Sequence, residues 1–160
     1  MAEKPIDGRQ GFIQGLNEEA RLIQQFVDLL LHEQKALSAG DTDVLPKLAD
    51  DKSGLAAQLN RIAEDRGRML VAMGFSADRA GVEAWCARYP EEQTAARTWN
   101  TILGLAREAQ ALNQLNGELI QLRMNFTAAA LESLRAGKSS LDLYGPDGQS
   151  AKTDHRRIDH

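Results

Sequence analysis

The residues of this chain able to do chemistry are few, and their spacing argues against most of what they could do. Its three histidines are His32, His155 and His160. None follows a glutamate at three residues' distance, so the Glu-x-x-His pair that builds di-iron centres in helical bundles is absent. His32-Glu33 begins like a zinc-protease helix, but the second histidine would stand where Ala36 is. His155 and His160 lie near the end of the chain, and two imidazoles without further ligands or a fixed frame make a poor metal site. Cys86, the lone cysteine, excludes an intramolecular disulfide and reads as a small buried residue on a short helix. The neighbours Glu18-Glu19 and Asp50-Asp51 point in different directions on a helix and read as solvated faces. There is no glycine-rich phosphate loop, no G-x-S-x-G and no C-x-x-C. Catalysis, a metal and a cofactor are not expected.

Bulk composition narrows the alternatives. The 160 residues carry a net charge of −4, with 26% charged and 42% apolar residues, which suits one ordinary globular domain. That charge argues against a nucleic-acid partner, because phosphate neutralisation needs a basic surface. Lys152, Arg156 and Arg157 are diluted by Asp154 and Asp159 and do not supply one. The opening MAEKPIDGRQG lacks the apolar core of a signal peptide, and no apolar run approaches membrane-spanning length. A cytoplasmic protein without membrane insertion is expected.

The elements follow from helical periodicity. Leu16, Ile23, Phe26, Leu30 and Leu37 share a stripe, widened by Leu22, Leu29 and Leu31, so a first helix runs from Phe12 or Leu16 to Ala39 and ends at Gly40. Asp43 is the expected cap of a second helix with Pro46 in its first turn. Its seam reads Leu45, Leu48, Lys52, Leu55, Leu59, Ile62, Arg66, Met69 and Met73, with Lys52 and Arg66 as interruptions, and Gly74 ends it. Ser76 caps a short connector helix to about Tyr89, where Pro90 disfavours continuation and Trp85 plugs one end of the bundle. From Pro90 to Ala136 the spacing predicts a long helix of roughly 70 Å, closed by Gly137. Beyond it, Leu141, Leu143 and Tyr144 form a small apolar knot before a turn at residues 145–148. The expected fold is all-α: an antiparallel bundle of three main helices and a short connector over residues 1–136, with a flexible tail over 137–160.

The long helix outruns its neighbours. A second helix of about 31 residues covers only about 46 Å, so part of the stripe in 112–134 is uncovered. Three coverings compete: a fold-back near Gly117, a second copy of the chain (a homodimer), or an amphipathic helix of another protein. Asn116 reads as a register-setting hydrogen bond on the seam, or alternatively as a hinge with Gly117.

Four stretches taken together resemble the FlgN-type flagellar secretion chaperones: LLLHEQKAL at 29–37, GDTDVLPKLADDKSGLAAQL at 40–59, N-x-x-N-G-x-L-I at 113–120 and LYGPDGQ at 143–149. The resemblance implies a non-enzymatic cytoplasmic chaperone. Its clients would be the hook-associated proteins FlgK and FlgL, held by their C-terminal amphipathic helices and delivered to the flagellar export apparatus. It places client contacts on the C-terminal half, where Leu112, Leu115, Leu119, Leu122, Phe126 and Leu134 are the expected residues, and it assigns Tyr144 to docking on the export gate. The competing class is a homo-oligomeric structural or adaptor bundle with no dedicated export client.

Overall fold

The computed structural model describes residues 8–143, with side chains through residue 136. Four helices occupy most of that span: α1 (Gly8–Ala39), α2 (Leu45–Ala72), α3 (Arg79–Arg88) and α4 (Gln93–Leu143), with a 3-10 turn at Thr42–Val44. No strand occurs among the described residues. The all-α expectation holds.

Glycine ends two helices as the sequence suggests. Gly40 and Gly74 sit at φ 75° and 89°, the left-handed region that side chains resist. After α1, Gly40 N–H donates to Leu37 O and Asp41 N–H to Ala36 O; after α2, Gly74 N–H donates to Val71 O and Phe75 N–H to Leu70 O. Both are Schellman closures, which satisfy carbonyls that the helix leaves open.

Other boundaries differ from expectation, each for a local reason. α1 starts at Gly8, ahead of Phe12, because burial of Phe12 and Leu16 outweighs the poor helix propensity of the glycines before them. Asp43 is not a cap: it lies in the 3-10 turn, where Leu45 N–H already donates to Thr42 O, and Val44 precedes α2 with Pro46 in the first turn. Asp78 rather than Ser76 caps α3, accepting from Gly81 N–H at 3.2 Å while the Ser76 hydroxyl donates to the same carboxylate at 2.6 Å. The Ser76 hydroxyl, then the Gly81 N–H, hold the Asp78 carboxyl below its ordinary range.

At the other junction, α4 begins at Gln93 and not at Pro90. Residues 90–92 form a turn in which Glu92 N–H donates to Tyr89 O at 3.0 Å. Arg9 ties this turn to α1, bonding Glu91 at 3.0 Å and lying 4.5 Å from the centre of the Tyr89 ring. Gly137 does not close α4, which continues to Leu143. A lone glycine costs a helix about 1 kcal/mol relative to alanine and does not by itself end it. Gly117 is likewise carried inside α4 without a break.

By internal packing the chain divides after Gly117, into residues 1–117 and 118–160. In the first unit, α1 and α2 run antiparallel, as Glu19–Arg66 and Glu33–Lys52 show. The proximal part of α4 runs alongside α1 in the same direction, with Asn17 near Thr98 and Leu30 near Asn116. Successive main helices thus alternate in direction. One core joins Phe12, Leu16, Leu70, Val82, Trp85, Ala95, Trp99 and Ile102; a second joins Val27, Leu30 and Ala109. Trp85 plugs the first core fully buried, 4.6 Å from the Phe12 ring and 5.1 Å from Tyr89.

The two interruptions of the α2 seam are partnered. Arg66 pairs with buried Glu19 and lies 5.1 Å from the centre of the Trp99 ring, and Lys52 reaches Glu33 at 3.2 Å. Glu19 is therefore not a solvated residue as read from sequence, whereas Glu18 is, pairing with Arg21 on the surface. A buried carboxylate beside a guanidinium is stable where either alone is costly.

Gly81 has a sharp steric constraint. A Cβ there would fall 1.7 Å from the Ser76 carbonyl oxygen, so alanine must push away the backbone that carries the α3 cap. Gly81→Ala is expected to lower stability by about 1–3 kcal/mol in urea unfolding. Gly54→Ala, with nothing within 4 Å of the new methyl, is expected to raise it by about 0.5–1 kcal/mol.

Candidate functional surface on the distal part of α4

Where a helix face is apolar, burial normally removes it from water, and a large exposed apolar residue is informative only when others adjoin it. In the second unit several do. Phe126 is 77% exposed, Leu134 70%, Leu122 63%, Met124 60% and Leu131 56%. This segment is well supplied with helix formers such as Gln121, Leu122, Arg123, Met124 and the run Ala128–Ala130, so it is helical by propensity as well as by continuity with α4. Over residues 118–136 its charges are few: Glu118 and Arg123, and Glu132 paired with Arg135 at 3.4 Å within the helix.

The six expected contact residues fall into different environments. Leu122, Phe126 and Leu134 are exposed in the second unit, and Leu119 is half-buried there. Leu115 belongs to the first unit and is 40% exposed. Leu112 is half-buried and packs against the Val27, Leu30 and Ala109 core. Tyr144 lies outside the described residues, as do His155, His160 and the expected turn at 145–148. Ile120, Met124 and Leu131 are exposed apolar residues that the sequence reading passed over. Their signal was present in the spacing of 120, 124 and 131, which forms a stripe of its own.

Asn116 makes the interhelical hydrogen bonds of the register-setting reading. Fully buried, its Nδ2 donates to Leu30 O at 2.8 Å and to Glu33 Oε1 at 2.9 Å. Lys52 Nζ, besides binding Glu33, donates to Asn113 Oδ1 at 2.9 Å. Four side chains from α1, α2 and α4 thus lock one axial position of the bundle. Asn125 instead accepts locally from Gln121 at 3.1 Å on the surface.

Other surfaces offer less. A cavity of about 560 Å³ lies between the start of α1 and the end of α2, bounded by Gly8, Gly11, Gly15, Ile62, Met69 and Met73. The sequence reading missed it, although glycines at 8, 11 and 15 share one face of a helix. Among the described residues no group of three or more His, Cys, Asp or Glu converges on a point. Burial, and secondarily Glu83, pushes the Cys86 thiol up, away from the thiolate form that reactivity requires. No helix among the described residues is long and apolar enough to cross a membrane.

Comparison with known proteins bears on the whole chain. The sequence model of the FlgN protein family matches residues 1–152. The flagella synthesis protein FlgN of Salmonella typhimurium strain LT2 is 26% identical over 136 residues, which is 85% of this chain and 87% of that protein. Its counterpart in Proteus mirabilis is 25% identical over 142 residues, 88% of this chain and 90% of that protein. No solved structure matches.

Proposed function

This chain belongs to the FlgN protein family, and on that premise we propose that it is a cytoplasmic, non-enzymatic export chaperone for flagellar subunits. The observation that carries this reading is the run of exposed apolar side chains on the distal part of α4, centred on Leu122 and Phe126. Such a face is suited to an amphipathic helix laid along it, with anchors repeating every three or four residues. The clients are the hook-associated proteins FlgK and FlgL, bound by their C-terminal helices. Leu112, Leu115, Leu119, Leu122, Phe126 and Leu134 are the client contacts, with Leu122 and Phe126, both exposed, as the main anchors. Covering a client's assembly helix stabilises the complex by roughly 25 cal/mol per Å² of apolar surface before ordering costs, and keeps that helix from assembling early. Tyr144 serves docking on the export apparatus. Removal of residues 137–160 leaves residues 1–136 folded.

Isothermal titration with a peptide copying the C-terminal helix of FlgK or FlgL tests this. Saturable binding is expected, weakened about 100-fold or more in the double variant Leu122→Asp and Phe126→Asp. Because both side chains are exposed, the variant should unfold at the same denaturant concentration as the parent. Failure of the parent chain to bind either peptide, or the full-length subunits, contradicts the chaperone reading and leaves a structural bundle.

A further inference from the structure

Asn116 is fully buried, and among residues 117–136 none is; only Leu119 and Arg123 are even half-buried. A helical segment that buries no side chain is sustained by propagation from turns already formed. Starting a helix afresh carries a penalty of roughly 10⁻³, so an unpacked segment does so reluctantly. Gly117 is a weak link in that propagation, since only proline is a poorer helix former. What precedes the glycine is correspondingly fastened. Asn113 and Asn116 lie one turn apart on one face of α4. Lys52 Nζ donates to Asn113 Oδ1 at 2.9 Å, and Asn116 Nδ2 donates to Leu30 O at 2.8 Å and to Glu33 Oε1 at 2.9 Å. The last turn before Gly117 is thereby tied to both α1 and α2. Two asparagines in one turn disfavour a helix unless such bonds compensate. Directed bonds also fix the rotation and axial level of the turn, which interchangeable apolar contacts fix less sharply.

We propose that Asn113 and Asn116 are positioning residues for distal α4. Clamped to Lys52, Glu33 and the Leu30 carbonyl, they hold a formed turn ahead of Gly117, and the helix of residues 118–136 propagates from it. The exposed apolar face is then helical before any partner arrives. Distal α4 so loses little conformational freedom on binding, which favours affinity. That last consequence rests on the client reading above; the clamp itself does not.

Hydrogen–deuterium exchange of the full chain, resolved by peptide, tests the clamp without a client. The double variant Asn113→Ala and Asn116→Ala removes the three bonds and leaves the Glu33–Lys52 pair in place. Alanine is the better helix former, so propensity alone predicts slower exchange. The clamp predicts the opposite sign: exchange over residues 121–136 about 10-fold faster, with peptides of the Phe12 and Trp85 core unchanged. Adding Gly117→Ala should return most of the protection, because the new methyl meets nothing within 4 Å and strengthens the weak link. Should the double variant lose protection in its core, Asn113→Ala alone decides. Asn113 is exposed, and losing its one bond to Lys52 is expected to speed exchange over 121–136 about 3-fold. Unchanged or slower exchange there overturns the clamp. So does a loss spread evenly over the whole chain in Asn113→Ala, which marks an ordinary contribution to bundle stability. Titration with the client peptide should follow the same pattern, about 10-fold weaker in the double variant and restored by Gly117→Ala. A parent chain that binds no client peptide contradicts the client reading and leaves the exchange result to decide the clamp. Client affinity that stays put while exchange rises overturns the preformed face.

Discussion

Trp85→Ala is expected to lower folding stability by about 3–5 kcal/mol, the range for truncating a large buried aromatic. Trp85 is 0% exposed and belongs to the core that includes Phe12, Leu16, Leu70 and Val82, so the vacated volume is walled by residues of three helices. Its contacts with Phe12 and Tyr89 also hold the last turn of α3, from which the chain enters α4. Collapse into the hole is resisted by the Arg9 pairing with Glu91 and Glu92, which fixes the adjoining turn. Urea unfolding followed by circular dichroism checks this. A loss below about 1 kcal/mol would mean that the plug is not part of the cooperative core.

Glu33→Ala should cost nearly as much for an electrostatic reason. The Glu33 carboxylate is 5% exposed and accepts from Lys52 at 3.2 and 3.3 Å and from Asn116 at 2.9 Å. Removing it strands a half-buried ammonium and takes one acceptor from a buried amide. Breaking a buried pair in this way costs about 3–5 kcal/mol, and here about 3, because Lys52 retains some contact with water. The interaction is testable as a coupling: Lys52→Met in the Glu33→Ala background should recover part of the loss, since the stranded charge is then gone. Strictly additive losses would show that the pair does not act as a unit.

These two sites also show how far the sequence could be read. Trp85 was legible because its role follows from its size and from Pro90 close behind it. Gly40 and Gly74 were legible for a similar local reason, a backbone conformation that few residues accept. Glu33 was not. A glutamate on an apolar stripe has no visible partner until α2 is folded against α1, and Lys52 lies 19 residues away. Glu19 and Arg66 went unpaired in the sequence for the same reason. Asp78 displaced Ser76 as cap because the two side chains bond one another, a choice between neighbours that propensity does not resolve. The distal face was half legible. Helix lengths identified the region of Leu122 and Phe126, but following a single stripe left out Met124 and Leu131. Leu112 could not be separated by spacing from the exposed residues that follow it, since the same periodicity buries it against the Val27 and Leu30 core.

Site-specific photocrosslinking of the chain mixed with full-length FlgK or FlgL tests the proposed client surface. A photoreactive side chain would be placed at Leu122 or Phe126 on distal α4, and for comparison at Ile62 or Met69 beside the cavity between α1 and α2. Crosslinks to the C-terminal helix of FlgK or FlgL are expected from positions 122 and 126 and none from 62 and 69. Crosslinks confined to 62 and 69 would place the client at the α1–α2 cavity instead of on distal α4.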